Sequence, residues 1–363
     1  MGDHHIIDTN AIGSQTDATT DIRRLLLGLT LEGLQTVAAD CGMPKFAAKQ
    51  MANWLYVKRV KEIDAMTDLS LKARENLKRH YTVGREEPLQ CVRSTDGTAK
   101  YLFRGTPGRD IEAVMIPDRE RATLCVSSQA GCRMGCAFCM TGRQGFHGHL
   151  TAAQIINQIF SIEESADLTN LVFMGMGEPL DNMEALMPVL EIITAPWGMA
   201  WSPKRVTVST VGKKDALKEL IERTQVHIAL SVHTPFPDER ASIMPVQRVW
   251  QVNDVVAMLR KYDFAHQRRL SVEYTMWRGL NDTPRHAEAL ARLLKGTSAR
   301  VNLIRFHAIP GFDHVSSDNA TMTAFRDRLN ALGVTATIRA SRGEDIMAAC
   351  GMLAGKSKQN DNV

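Results

Sequence analysis

Residues 123–142 read TLCVSSQAGCRMGCAFCMTG. The opening TLCVSS has the apolar, β-branched character of a buried strand, and Cys132, Cys136 and Cys139 follow it in a C-x3-C-x2-C array. Soft thiolates at this spacing can wrap a compact iron-sulfur cube, and three ligands on a [4Fe-4S] cluster leave one iron open to chelate a substrate. Electron-transfer ferredoxins usually close that position with a fourth Cys. A structural zinc site wants four ligands, to which His147 or His149 could be added, but its paired ligands are more often two residues apart. Spacing and position after a strand favour the cube.

Outward from this stretch the pattern repeats. A helical stretch starts at Thr151, then apolar runs alternate with amphipathic helices: NLVFMG with a helix from Asn182, RVTVST from Lys213, VHIALSVH from Asn253, RLSVEYTM from Thr283, VNLIRFH from Thr321, and TATIRAS near the end. Repeated strand-helix units predict an α/β fold, a parallel sheet with helices outside, open or closed as a partial barrel over 111–354. Ligands bind such sheets at the carboxyl ends of the strands. Gly175, Gly177 and Glu178 follow NLVFM; the glycines permit close backbone approach, and Glu178 could receive an ammonium group. Ser209 ends RVTVST, Ser231, Val232 and His233 end VHIALSVH, and His307 ends VNLIRFH. Singly, each is equally an ordinary strand-end residue. On consecutive strands they read as one ligand site.

Upstream, the apolar residues of 22–90 recur at helical spacing and predict a small helical unit, followed over 91–110 by a hairpin around Asp96-Gly97. This part is rich in Lys and Arg, among them Lys45, Lys49, Lys58, Arg59, Lys61, Lys72, Lys78, Arg79, Arg85 and Arg93, which suits a solvated helical face as well as an RNA footprint. Residues 1–21 and 355–363 are polar and read as a flexible lead-in and tail. With 44% hydrophobic and 23% charged residues, most of the chain should fold, and the net charge of +4 suits a polyanionic partner without requiring one. Seven cysteines, three of them clustered, exclude a secreted disulfide framework. No signal peptide or membrane span is recognisable, so a cytoplasmic protein is expected, and a monomer, since no exposed apolar repeat asks for a partner.

The cysteine array resembles that of the radical S-adenosylmethionine (SAM) enzymes. The segments PKFAAKQMANWLY, STDGTAKYLF, IEAVMIPDRERATLCVSSQAGCRMGCAFCMTGRQGF, FMGMGEPLDN, RVTVSTVG, IALSVHTPFPDERASIMPV, EYTMWRGLND, VNLIRF and IRASRGEDIMAACGMLAG together resemble the RlmN and Cfr group of radical SAM adenosine methyltransferases, which act on C2 or C8 of adenine in RNA. The resemblance runs from about Met43 to Gly355. It implies a partial (βα)6 barrel, an N-terminal helical domain that helps grip RNA, a [4Fe-4S] cluster and SAM as cofactors, and an electron donor such as flavodoxin or ferredoxin. Its implied substrate is ribosomal RNA, with transfer RNA as a second, and its implied product a C2-methylated adenine.

The same resemblance assigns Cys350 as the methyl-carrying thiol, Cys125 as its resolving partner and Glu112 as the proposed general base. Read without it, Cys125 and Cys350 are ordinary buried cysteines, and Glu112 is a surface residue of an edge strand. The implied route methylates Cys350 from one SAM, activates that methyl with a radical from a second, and releases the product when Cys125 forms a disulfide with Cys350. His307 stands where the family usually has an Asn that contacts SAM, which marks a divergent RlmN-like member. Arg339 and Arg342 could grip phosphate or pair with Glu344 and Asp345. The competing readings are a radical SAM enzyme with another substrate and a non-catalytic iron-sulfur RNA-binding protein.

Overall fold

The computed structural model describes residues 23–264, 266 and 268–355. The expected lead-in, and the expected tail apart from Gly355, lie outside the described residues. The chain enters by β1 (Arg24–Leu25), then α1 (Leu31–Asp40), α2 (Ala47–Ala52) running into a π-turn at Asn53–Val57, and α3 (Leu71–His80), before β2 (Tyr81–Thr82) pairs in parallel with β1. Thr30 and Ser70 fix where α1 and α3 begin: each hydroxyl accepts an otherwise orphaned amide, from Gly33 at 3.3 Å and Ala73 at 3.2 Å. Leu34, Met51, Leu55 and Leu77 form the buried face of this helical unit.

β3 (Gln90–Arg93) and β4 (Ala99–Thr106) make the hairpin, with Gly97 in the turn at φ +86°. The hairpin is not detached from the barrel sheet. β4 pairs with β5 (Arg109–Asp118) and β5 with β6 (Arg121–Cys125), all antiparallel. A small excursion follows: β7 (Gln129–Gly131), α4 (Met140–Arg143) and β8 (Phe146–His149), with β7 and β8 paired.

The alternation seen in the sequence then runs α5 (Ala152–Phe160), β9 (Asn170–Phe173), α6 (Met183–Thr194), β10 (Val206–Thr210), α7 (Lys214–Arg223), β11 (His227–Ser231), α8 (Pro237–Ile243), α9 (Val252–Leu259), β12 (Leu270–Met276), α10 (Pro284–Leu294), β13 (Arg300–Arg305), α11 (Asn319–Ala331) and β14 (Ala336–Ile338). β6 and β9 to β14 lie parallel and in chain order, so the ten-stranded sheet runs β14-β13-β12-β11-β10-β9-β6-β5-β4-β3. Adjacent parallel strands joined through helices give the six strand-helix units of a partial barrel. The sequence does not foreshadow α8, because PDERASI lacks a clear apolar stripe.

The opposite edges of the sheet are tied by loops. Asp345, past β14, accepts from Ser94 Oγ at 2.6 Å, and the Gly343 amide donates to Asp96 Oδ2 at 2.9 Å, both in the β3–β4 turn. The helical unit docks on the barrel flank through Arg85, which donates to the Phe160 carbonyl at 2.6 Å, and Arg59, which donates to that of Ser165 at 2.8 Å. Gly28, at φ +84°, lies so close to α5 that a Cβ there would fall 2.4 Å from the Ala153 nitrogen. Among the described residues no helix is long and apolar enough to cross a membrane.

Candidate active site

The cysteine loop is an excursion pinned at its base and along its length. The Cys132 amide donates to the Gly145 carbonyl at 2.8 Å, Ala137 to Ile243 at 2.9 Å, and Arg143 to the Cys139 carbonyl at 3.0 Å. Gly142 leaves room for the turn, since a Cβ there would sit 3.1 Å from the Cys136 nitrogen. Met134, Val211, Met244, Trp277 and Phe306 pack around Cys132 and Cys136, which are buried; Cys139 is half-buried. Burial pushes Cys132 up to about 12 and raises Cys136 and Cys139 as well, and the charges of Cys139 and Cys132 raise Cys136 further. Such thiols stay protonated until a cationic centre displaces their protons.

These residues fit an iron-sulfur cube: three thiols on one pinned loop in an apolar, water-poor shell, with no fourth thiol on the loop. The zinc alternative lacks its extra ligands. His147 Nε2 lies 3.0 Å from the Gln144 carbonyl and His149 Nδ1 3.1 Å from Gln129 Nε2.

Beside the loop, the carboxyl ends of β9, β10 and β11 form a shelf. A Cβ on Gly175 would come 2.7 Å from Ser127 Oγ, and one on Gly177, at φ +100°, 2.6 Å from the Gln129 Cβ, so only glycine lets the backbone lie this close. Glu178 is buried; its carboxylate accepts the Leu180 amide at 3.1 Å and the Val211 amide at 2.9 Å, bridging the ends of β9 and β10. Burial lifts it to about 7 despite those bonds. A carboxylate so poised gains most from a cationic group such as an ammonium. Ser128 Oγ, just past β6, is buried with no hydrogen-bond partner among the described residues.

Ser209 and Ser231 lie half-buried at the ends of β10 and β11, and Val232 is fully buried. His233 adopts a left-handed backbone at φ +60°, held by Asn281 Nδ2 donating to its carbonyl at 2.6 Å. Its Nδ1 accepts the Thr275 amide at 3.0 Å, its ring meets Phe138 edge-on at 4.8 Å, and burial lowers it to about 3, so it is neutral. His307 is buried just past β13, with Nδ1 3.3 Å from Glu344.

The last described segment crosses the same mouth. Cys350 is accessible but surrounded by protein; loss of water raises its thiol first, then the Glu273 carboxylate, while Arg339 lowers it. Cys125, at the end of β6, is buried and pushed up to about 12 by burial and then by the charge of Cys350, which lies within electrostatic reach. Both are free thiols. Glu112 is interior to the sheet, because β4 covers the edge it would otherwise occupy. Its carboxylate accepts the Ala354 and Gly355 amides at 2.8 and 3.1 Å and pairs with Lys100 at 3.1 Å, fastening the segment that carries Cys350. The pairing of Arg339 and Arg342 with Glu344 and Asp345 is not what forms: Glu344 turns to His307, Asp345 to Ser94, and Arg342 reaches Asp118 at 3.7 Å. Sequence reading missed Glu273, whose signal was a lone carboxylate inside the apolar run LSVEYTM, and Asn281, which gave none.

Residues 126–294 match the family model of the radical SAM superfamily, and residues 25–83 that of the ribosomal RNA large subunit methyltransferase N-terminal domain. Fold, thiol loop and match define a radical SAM enzyme. The chain is 55% identical, over 92% of its length and 97% of the relative's, to a probable dual-specificity RNA methyltransferase RlmN of Parabacteroides distasonis, and 38% identical to the dual-specificity RNA methyltransferase RlmN of Syntrophus aciditrophicus over 91% and 96%. The crystal structure of a radical SAM methyltransferase from Sphaerobacter thermophilus superposes with a TM-score of 0.85 at 38% identity, covering 92% of this chain and all of that one. The chain belongs to the RlmN family of radical SAM RNA methyltransferases.

Proposed function

We propose that this protein methylates an adenine ring carbon of RNA, C2, in ribosomal and transfer RNA, by way of a methyl group carried on Cys350. The observation that carries the reading is Cys350 itself: an accessible thiol at the carboxyl end of the sheet, with both Cys125 and Cys139 close enough to feel or exert its charge. Cys132, Cys136 and Cys139 would hold the [4Fe-4S] cluster, and Glu178, Ser209, Ser231, Val232, His233 and His307 with the Gly177 backbone would hold SAM. When bound, the pair supplies a 5'-deoxyadenosyl radical that can remove hydrogen from an unactivated methyl group.

The protein's own residues do the rest. Cys350, as thiolate, displaces the methyl group from a sulfonium: its sulfur-carbon bond forms as the donor's breaks, and the thioether is neutral. Arg339 favours that thiolate. Once the carbon, now a methylene, is bonded to the adenine ring, the odd electron of the adduct would return to the cluster and a base takes the ring proton; Cys125 thiolate attacks the Cys350 sulfur, the sulfur-sulfur bond forms, the electron pair of the broken sulfur-carbon bond stays with the carbon, and that carbon takes up a proton to become the new methyl group. Glu112 is the candidate base, at present engaged with Lys100 and two amides. Electrons for the cluster and for the spent disulfide come from an external donor such as flavodoxin or ferredoxin.

Exposed Lys45, Lys49, Lys58, Lys72 and Arg79 on the helical unit supply the phosphate contacts. Several other basic residues are occupied: Arg59 and Arg85 in docking, Lys61 and Lys78 with Glu87 and Asp64, and Arg93 of β3 with Glu163 and Glu164, while Lys58 itself lies over the Trp54 ring. Mass spectrometry of nucleosides from cells with and without the gene tests the reading. 2-Methyladenosine should vanish without it and stay absent when only Cys350→Ala is restored; full methylation by that variant would end the proposal.

A further inference from the structure

Arg240, on α8, is wholly buried, and no described carboxylate is ion-paired with it. Its guanidinium donates only to neutral oxygens: Nε to the Val232 carbonyl at 3.2 Å, Nη1 to Gln247 Oε1 at 2.7 Å, and Nη2 to the Ser231 and Val211 carbonyls at 2.9 and 3.0 Å. It therefore staples the carboxyl ends of β10 and β11. For that task alone a cation is a poor choice, because a charge taken out of water without a counter-ion is costly, whereas an Asn or Gln could also donate to carbonyls.

The cysteine loop packs against this staple. Val211, whose carbonyl Arg240 holds, packs in one apolar cluster with Cys132 and Cys136, and the Ala137 amide, next to Cys136, donates at 2.9 Å to the carbonyl of Ile243, three residues along α8 from Arg240. The shell around Cys136 is apolar, built by Val211, Ile243, Met244 and Trp277, and a charge acts strongly across such a shell. A [4Fe-4S] cube on three thiolates carries net negative charge, and one-electron reduction adds another. Net charge and nearby groups set the potential of such centres.

We infer that Arg240 is the fixed counter-charge of the iron-sulfur centre, a positioning residue that favours its reduced form. The inference rests on the assignment of Cys132, Cys136 and Cys139 as cluster ligands. A buried positive charge behind Cys136 stabilises the cluster with one electron more than without it, so a weaker external one-electron donor suffices. A purely structural staple would bind the same carbonyls and leave the potential where it was.

The test uses the full-length protein, reconstituted anaerobically with iron and sulfide and titrated reductively without SAM, the reduced cluster being followed by electron paramagnetic resonance. Arg240→Gln removes the charge. Gln247→Glu keeps Arg240 but gives it a carboxylate of its own at Nη1. Each should lower the ratio of reduced to oxidised cluster at a fixed potential about tenfold, which is about 59 mV for one electron. Arg240→Lys, which keeps the charge and loses the fork, should stay within about threefold of the unaltered protein.

An unchanged ratio in both Arg240→Gln and Gln247→Glu would overturn the inference, as would Arg240→Lys shifting as far as Arg240→Gln. Failure of both charge-altering variants to assemble a cluster would assign Arg240 to structure alone. If the unaltered protein takes up no cluster, the ligand assignment fails first, and that is read from its visible absorbance before any potential is measured.

Discussion

The backbone amide of Met140 donates to the carbonyl of Gly351 at 2.8 Å, so the residue after Cys139 holds the residue after Cys350. Gly351 makes that bond at φ +85°, with the Phe138 carbonyl 3.2 Å from where a Cβ would stand. Gly351→Ala should strain the loop by about 1–2 kcal/mol, and at 1.4 kcal/mol per decade the methylation of Cys350 should slow roughly tenfold. Intact-mass measurement after incubation with SAM checks it; an undiminished rate would show that Cys350 does not depend on this anchor.

Glu178 gives the ligand-free protein a particular pH dependence. Its pKa is about 7 when folded, against 4.5 ordinarily, so the folded chain keeps a proton that the unfolded chain gives up. Its contribution is complete below the unfolded value and is lost as pH rises through 7. Urea unfolding should show up to about 3 kcal/mol of such loss between pH 4.5 and 8, and Glu178→Gln should remove that slope while adding a constant cost for the orphaned Val211 amide. Parallel profiles for the two proteins would contradict the assignment of the shift.

Docking of the helical unit should hinge on Gly28. Gly28→Ala places a carbon against the start of α5 and asks an L-residue to hold φ +84°. A loss of about 2 kcal/mol or more is expected, seen as a lower thermal midpoint and as new protease cleavage near residues 84–89. A variant as stable as the parent would mean that the interface yields freely.

The exposed basic residues make a prediction about salt. Lys72→Ala and Arg79→Ala should each weaken RNA binding for every sequence alike and flatten the logarithmic salt dependence by roughly one for each phosphate left unneutralised. Arg85→Ala should instead lower stability, because its charge is committed to the Phe160 carbonyl. An identical salt slope in all three would remove the helical unit from the RNA footprint.

The barrel and the shelf were legible because their signals are local. Alternating apolar runs announce β6 and β9 to β14, and residues just past a strand end must lie at one rim of a parallel sheet. The cysteine loop is a motif within a few residues. That Cys350 comes within electrostatic reach of Cys125 is not local: it depends on the chain closing on itself, and only resemblance to relatives pointed to it. Glu112 reads as exposed until β4 is known to cover β5. Arg240 reads as one more charge in PDER, because nothing in the segment tells that α8 lies over the strand ends. Arg59 and Arg85 resemble a footprint for nucleic acid but are held by carbonyls of the barrel flank.

The clasp between Asp345 and Ser94, with that between Gly343 and Asp96, joins the first hairpin of the sheet to almost the last residues described. The nascent chain therefore cannot fasten this clasp until residues 343–345 have left the ribosome, and the closing bonds are among those widest apart in sequence, the slowest kind to form. A premature stop codon shortly before Gly343 would cost more than a thiol: it would leave the first-made hairpin without its fastening.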